Sequence, residues 1–179
     1  MRRISATAVL LLITSAALSA QTPKIGIGAF GGLNIPLVQD DQGSGKEFGF
    51  RGRLKFAIFV VEPNVTFAKW GKPDPINGID LGIDGSKVTS YGVDVALGGA
   101  PGVPGFKPFF VVGAASYKVK NDDTGFDESD IGYSGGIGFL IGVSPSFDID
   151  VRGKAVVIPM EAGGSKKAVA ATAGVTLNL

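Results

Sequence analysis

Apolar and polar positions alternate along most of this chain with a period of two, which puts alternate side chains on opposite faces of an extended strand. From Lys24, the residues Ile25, Ile27, Ala29, Gly31 and Leu33 share one face, and Lys24, Gly26, Gly28, Gly32 and Asn34 the other, with Phe30 as the exception. Phe48, Phe50, Gly52, Leu54 and Phe56 alternate with Glu47, Arg51, Arg53 and Lys55. Val61, Pro63, Val65 and Phe67 alternate with Glu62, Asn64, Thr66 and Ala68, and Tyr91, Val93, Val95 and Leu97 with Gly92, Asp94 and Ala96. Tyr133, Ile137, Phe139 and Ile141 alternate with Ser134, Gly136, Gly138 and Leu140, and Phe147, Ile149 and Val151 with Asp148, Asp150, Arg152 and Lys154. The last segment sets Val169, Ala171, Ala173, Val175, Leu177 and Leu179 against Thr172, Gly174, Thr176 and Asn178. Phe109 to Val119 is apolar on both faces until Ser116 and Lys118, so its facing stays open. The pattern predicts about eight strands of roughly 10 residues, the length with which a tilted strand crosses a bilayer.

The connections differ in character. Residues 35–46, 71–86, 120–130 and 157–166 are long or polar, whereas the links at Ala57-Ile58 and Ser144-Pro145-Ser146 are tight. The Pro- and Gly-rich link from Gly98 to Lys107 is longer than its neighbours on the tight side. In antiparallel order Phe48, Phe67, Tyr91, Tyr117 and Tyr133 fall near the long-connection ends, and Phe56, Phe109 and Phe147 near the tight ends. Placed on the apolar face, they form two aromatic girdles with Val, Leu, Ile, Ala and Gly between, the pattern of a lipid-facing band. Strands in hydrocarbon must then close on themselves, because an open sheet edge would leave backbone groups without partners. The expected fold is an all-β, closed, antiparallel up-and-down transmembrane barrel.

If the apolar face meets lipid, the charged face fills the interior. Glu47, Arg51, Arg53, Lys55, Glu62, Asp94, Asp148, Asp150, Arg152 and Lys154 would form a lumen network in which acids and bases balance. A barrel of about eight strands is just wide enough for side chains to fill, so a polar plug is expected. A narrow ion or small-solute path is the first alternative. A soluble periplasmic carrier of lipocalin type, with its apolar face inward, is the second; it would crowd the rim aromatics into the cavity.

Other chemistry is sparse. Gly26, Gly28 and Gly31 match G-x-G-x-x-G, but no full strand precedes them, and Gly32-Leu33-Asn34-Ile35-Pro36 cannot open a helix, so the context of a dinucleotide site is missing. The chain has no histidine, the usual base at neutral pH, and no carboxylate pair stands out from the lumen set, so no catalytic residue and no enzyme activity is expected. It has no cysteine, which removes disulfides, thiolate metal sites and cysteine-borne lipid anchors. Net charge is +1, giving no reason to expect a nucleic-acid partner. Asp80-Leu81-Gly82-Ile83-Asp84-Gly85 faintly resembles a calcium loop, but Gly82 holds the third position and Tyr91 the twelfth. The carboxylates of Asn121 to Asp130 read as solvated loop charge, so no metal and no cofactor is expected. Trp70, beside Pro73 and Pro75, reads as an extension of the outer girdle.

Arg2 and Arg3, the uncharged run Ala6 to Leu18 and the small residues to Ala20 have the layout of a cleaved secretory signal peptide. Cleavage after Ser19 or Ala20 would leave a single domain over residues 21–179, with no second domain after the barrel. The chain resembles the small outer-membrane β-barrel superfamily that includes OmpA- and OmpX-like domains. The resemblance rests on Gly31-Gly32-Leu33-Asn34, Val61-Glu62-Pro63, Lys107-Pro108-Phe109-Phe110 with Gly113, and Gly174-Val175-Thr176-Leu177. It implies residence in the outer membrane of a diderm bacterium, contact with lipid and with the barrel-insertion machinery, and a structural or adhesive role. An extracellular partner would meet loops 35–46, 71–86, 120–130 and 157–166. Members usually end in an aromatic residue, whereas this chain ends in Leu179.

Overall fold

The computed structural model describes residues 24–37, 43–56, 59–72, 82, 84–98, 104–160 and 164–179. The leader over residues 1–20, the Ala57-Ile58 link and most of the 71–86 connection lie outside them. Eight strands follow one another: β1 (Lys24–Leu37), β2 (Gly43–Lys55), β3 (Phe59–Gly71), β4 (Lys87–Gly98), β5 (Gly105–Asn121), β6 (Phe126–Ser144), β7 (Phe147–Pro159) and β8 (Ser165–Asn178). Each pairs antiparallel with the next, and β1 pairs with β8 from Gly26 opposite Asn178 to Leu37 opposite Lys167. The barrel is therefore closed, and every strand has a hydrogen-bonded neighbour on both sides.

The strands run from 12 to 19 residues, longer than a membrane crossing requires. The excess is greatest in β5 and β6, of 17 and 19 residues. Most of the 120–130 connection is strand: only Asp122 to Gly125 turn, with Gly125 at φ 71°. Polarity there marks strands standing above the bilayer in water, where alternation no longer needs apolar residues. The link at Pro145-Ser146 is tight, with Ser144 opposite Phe147.

Apolar side chains cover the outside of the barrel: Ile27, Phe50, Val93, Phe110, Ile137 and Val175 are all exposed. A continuous apolar surface of this extent is a lipid-facing band. Phe48 and Phe67 face outward and stack at 5.3 Å, and Phe56 stacks on Phe59 at 5.0 Å. Tyr91, Tyr133 and Phe147 are also exposed.

Two expected girdle members are on the other face. Phe109 is buried in the lumen, and Tyr117, at the same parity on β5, packs inside against Trp70, Val88 and Val119. Apolar residues on both faces of β5 hid its parity. Register decides it, because inward Asp94 stands opposite Gly113 and so turns the odd-numbered residues of β5 inward. The outward aromatics of β5 are Phe106, which stacks on Phe139 at 4.8 Å, and Phe110.

Inside, large side chains lie across small residues of neighbouring strands. Phe30 stands between its register partners Gly49 and Gly174, and Phe109 lies opposite Gly138. A Cβ added at Gly49 would come 2.5 Å from the Phe30 ring and would also meet the Val65 carbonyl. Gly135 instead opens onto empty space on the outer face. Gly49→Val should therefore lower the unfolding free energy by at least about 1–3 kcal/mol, the usual cost of overpacking. Gly135→Ala should change it by less than about 0.5 kcal/mol. Urea unfolding from lipid vesicles, followed by tryptophan fluorescence, measures both.

Candidate functional site

Strand parity aims the charges of β2, β3 and β7 into the lumen, where they meet across the barrel. Arg53 Nε donates to Glu62 Oε1 at 2.7 Å and Arg53 Nη2 to Asp150 Oδ2 at 2.9 Å. Arg152 closes the circuit, with Nη1 to Glu62 Oε2 at 2.7 Å and Nε to Asp150 Oδ1 at 2.9 Å. Arg53, Glu62, Arg152 and Asp150 thus form a ring of alternating sign. Arg51 joins it through Asp150 Oδ1 at 3.2 Å and lies over the Phe30 ring at 4.7 Å. Arg152 lies over Phe109 at 5.1 Å. Asp150 is 0% exposed and the other ring members at most 4%.

Removing such charges from water costs several kcal/mol per ion, and only close opposite charges with good hydrogen-bond geometry offset it. Each carboxylate here accepts from two or more guanidinium groups. Three arginines face two acids, and Arg51 Nε and Nη2 and Arg53 Nη1 have no hydrogen-bond partner among the described residues. Space for the guanidinium of Arg51 comes from Gly174, where a Cβ would collide with Nη2.

Toward the long-connection end, Lys154 Nζ donates to Asp94 Oδ2 at 2.8 Å. Glu47 accepts from Asn34 Nδ2 at 2.7 Å, and Asn34 Oδ1 accepts from Trp70 Nε1 at 2.9 Å. Trp70 is therefore inside the barrel, buried at 2% exposure, and does not extend the outer girdle. It shares the even parity of Glu62, which the sequence offered as a signal; its place beside two prolines concealed it. Lys166 lies over the Trp70 and Phe126 rings at 5.7 and 4.5 Å. A cavity lined by Thr66, Ser90, Asp94, Tyr117, Lys154 and Thr172 separates this cap from the ring. Trp70, Phe109 and Tyr117 are lumen residues that sequence reasoning placed outside, and Asn34, read on the polar face, was not singled out for the network.

Toward the tight-turn end, Val60, Ala96, Phe109, Val111 and Leu140 pack as an apolar cluster. Asp148 is fully buried and accepts from Asn178 Nδ2 at 2.7 Å, while Lys55 is partly buried near that rim.

The acidic segment after Asn121 does not converge on a common point. Asp122 accepts from Lys87 at 2.7 Å and Lys120 at 2.8 Å, Asp127 pairs with Lys118 at 3.2 Å, and Asp123 accepts from the Asp84 amide at 2.6 Å. Among the described residues no cluster of acids is arranged to hold a metal ion.

Breaking the ring on one side is expected to be costly. Glu62→Ala leaves Arg53 and Arg152 short of a counter-charge and should reduce stability by about 3–5 kcal/mol in the same vesicle unfolding measurement. A loss below about 1 kcal/mol would mean that the ring does not support the fold. In the exposed hairpin turn, hydrogen bonds from Lys120 and then Lys87 hold the Asp122 carboxyl down at about 2. Its pairing is then in place above the ordinary carboxylate range and is lost as pH falls through about 2. Carboxyl NMR should show that midpoint, moved upward in Lys120→Gln.

The sequence matches the outer membrane protein β-barrel domain family over residues 5–177. No curated protein matches it. Among solved structures, Neisserial surface protein A is similar at TM-score 0.65 and 15% identity, over 88% of this chain and 97% of that one. The N-terminal β-barrel domain of Pseudomonas aeruginosa OprF is similar at TM-score 0.55 and 16% identity, over 87% and 97%. Ail, the attachment invasion locus protein of Yersinia pestis, is similar at TM-score 0.51 and 14% identity, over 88% and 97%. At such identities the likeness is one of fold, and it agrees with the closed eight-stranded barrel. The chain belongs to the outer membrane protein β-barrel domain family.

Proposed function

We propose that this outer-membrane barrel has a plugged lumen and works as a structural element of the membrane or through its long-connection end, as an adhesive or loop-binding surface. The observation that carries this reading is the Arg53–Glu62–Arg152–Asp150 ring, which spans the interior with its members almost wholly buried. An apolar cluster packs below the ring, and a cavity lies between the ring and the Trp70 cap above it. A filled lumen conducts poorly. The apolar exterior opposes the soluble-carrier alternative, which needs that face around a ligand. The lack of histidine supports a role other than catalysis.

Residues 1–20 would direct export and be removed, and the insertion machinery would then receive residues 21–179. N-terminal sequencing of the membrane form should begin at Ala20 or Gln21. The refolded protein should show a heat-dependent shift in gel mobility, resist carbonate extraction and give no steady conductance in planar bilayers. Discrete, lasting conductance steps would replace the plugged reading with the narrow pore.

A further inference from the structure

The outward face carries a second charge pattern, separate from the lumen. Among the described strand residues, its charged side chains are Lys46, Lys69, Lys87, Lys118, Lys120 and Lys167, with Asp127 as the one acid. All lie at the long-connection end. Four of them form a row: Lys46 is opposite Lys69, Lys69 opposite Lys87, and Lys87 opposite Lys120. Like charges directly opposite on neighbouring strands are destabilising, so a row of four across β2 to β5 calls for anions.

The protein supplies part of that need. Asp122 is shared by Lys87 and Lys120, and Asp84 by Lys69 and Lys72 at 3.5 and 3.4 Å. Each carboxylate thus serves two ammonium groups, and Lys46 pairs with no acid among the described residues. The Lys69, Lys87 and Lys120 side chains remain 51–62% exposed.

Position identifies the occupant. Lys46 and Lys69 are the next outward residues beyond Phe48 and Phe67, whose stacked rings are at the height of an interfacial girdle. The row therefore leaves the apolar band where lipid headgroups begin. Neighbouring strands are about 4.8 Å apart, and strand tilt makes the row climb about 3 Å with each one. It passes obliquely through the headgroup layer, crossing more depth than a single phosphate occupies.

We infer that the Lys46–Lys69–Lys87–Lys120 row is a binding site for a multiply phosphorylated membrane lipid, its phosphates on the lysines and its acyl chains on the apolar band beside Phe48, Phe67 and Val65. The test uses the refolded full barrel in non-ionic detergent and native mass spectrometry, with four probes: bisphosphorylated lipid A, its dephosphorylated form, phosphatidylglycerol and inorganic phosphate. Lysine NMR follows the same additions. Lipid A should be retained. The combined variant Lys46→Gln, Lys69→Gln, Lys87→Gln and Lys120→Gln should retain at least tenfold less, and arginine at the same positions should restore binding. Lys24→Gln with Lys107→Gln, at the opposite end, should leave retention unchanged. Each variant is first checked for the heat-dependent mobility shift of a folded barrel. Equal retention of dephosphorylated lipid or of phosphatidylglycerol would overturn the inference. So would full retention by the glutamine variant, or lysine shifts as large with inorganic phosphate alone.

Discussion

Hydrocarbon offers no partner for a backbone N–H or C=O, and the rest of this structure depends on that constraint. A sheet that crosses a bilayer must satisfy every such group within itself, so it must close. Here closure is the pairing of β1 with β8 along most of both strands. Once the sheet is closed, register ties the facing of each strand to that of its neighbours. A single unambiguous strand, such as β2 with Arg51 and Arg53 inward and Phe48 and Phe50 outward, then determines the facing of all the others.

A small closed barrel turns the usual distribution of a soluble protein inside out, and the interior must solve two problems together: volume and charge. Gly49, Gly138 and Gly174 make room for Phe30, Phe109 and Arg51. The ring solves the charge problem with residues remote in sequence, since Arg53 and Asp150 are separated by 97 positions and Glu62 and Arg152 by 90. The two acids and three arginines meet only when β2, β3 and β7 have taken their places. A slip of one residue in any of these strands would turn its charges toward lipid. The ring is thus a check on register as well as a filling for the lumen, and an incomplete barrel would hold uncompensated charge.

Much of this was legible in the sequence because a period of two is a direct record of facing. The strands from Glu47 and from Phe147 show apolar residues outside and charges inside, and the structure has them so. Alternation records nothing about which charges meet, so the pairing of Arg53 with both Glu62 and Asp150 needed the closed barrel. It also fails where both faces are apolar. That is why Phe109 and Tyr117 on β5 read as girdle residues although they face the lumen. Trp70 misled for a different reason: an indole at the rim suits either side, and the prolines after it concealed the even parity that its burial and its bond to Asn34 reveal. The acidic hairpin tip reads as a long loop because irregular chain and a strand in water are both polar. In β5 and β6 it marks the level at which a regular strand leaves the membrane.

The outer face also limits how the barrel can sit. A lysine on the lipid side costs about 2–4 kcal/mol at the bilayer midplane and close to nothing at the interface. On β2 and β3 the lysines follow directly after the Phe48–Phe67 stack, so a small displacement toward the midplane would draw Lys46 and Lys69 into hydrocarbon. No outward charge on the described strands lies at the opposite rim, where Phe56, Phe59, Phe106 and Phe147 are found. The vertical position is therefore held by charge at one end and by interfacial aromatics at the other. With that position fixed, the buried ring is held within the membrane-spanning height, where water is excluded from outside and the lumen must supply every counter-charge. The same parity that places lysines at the outer rim places arginines and acids in the interior.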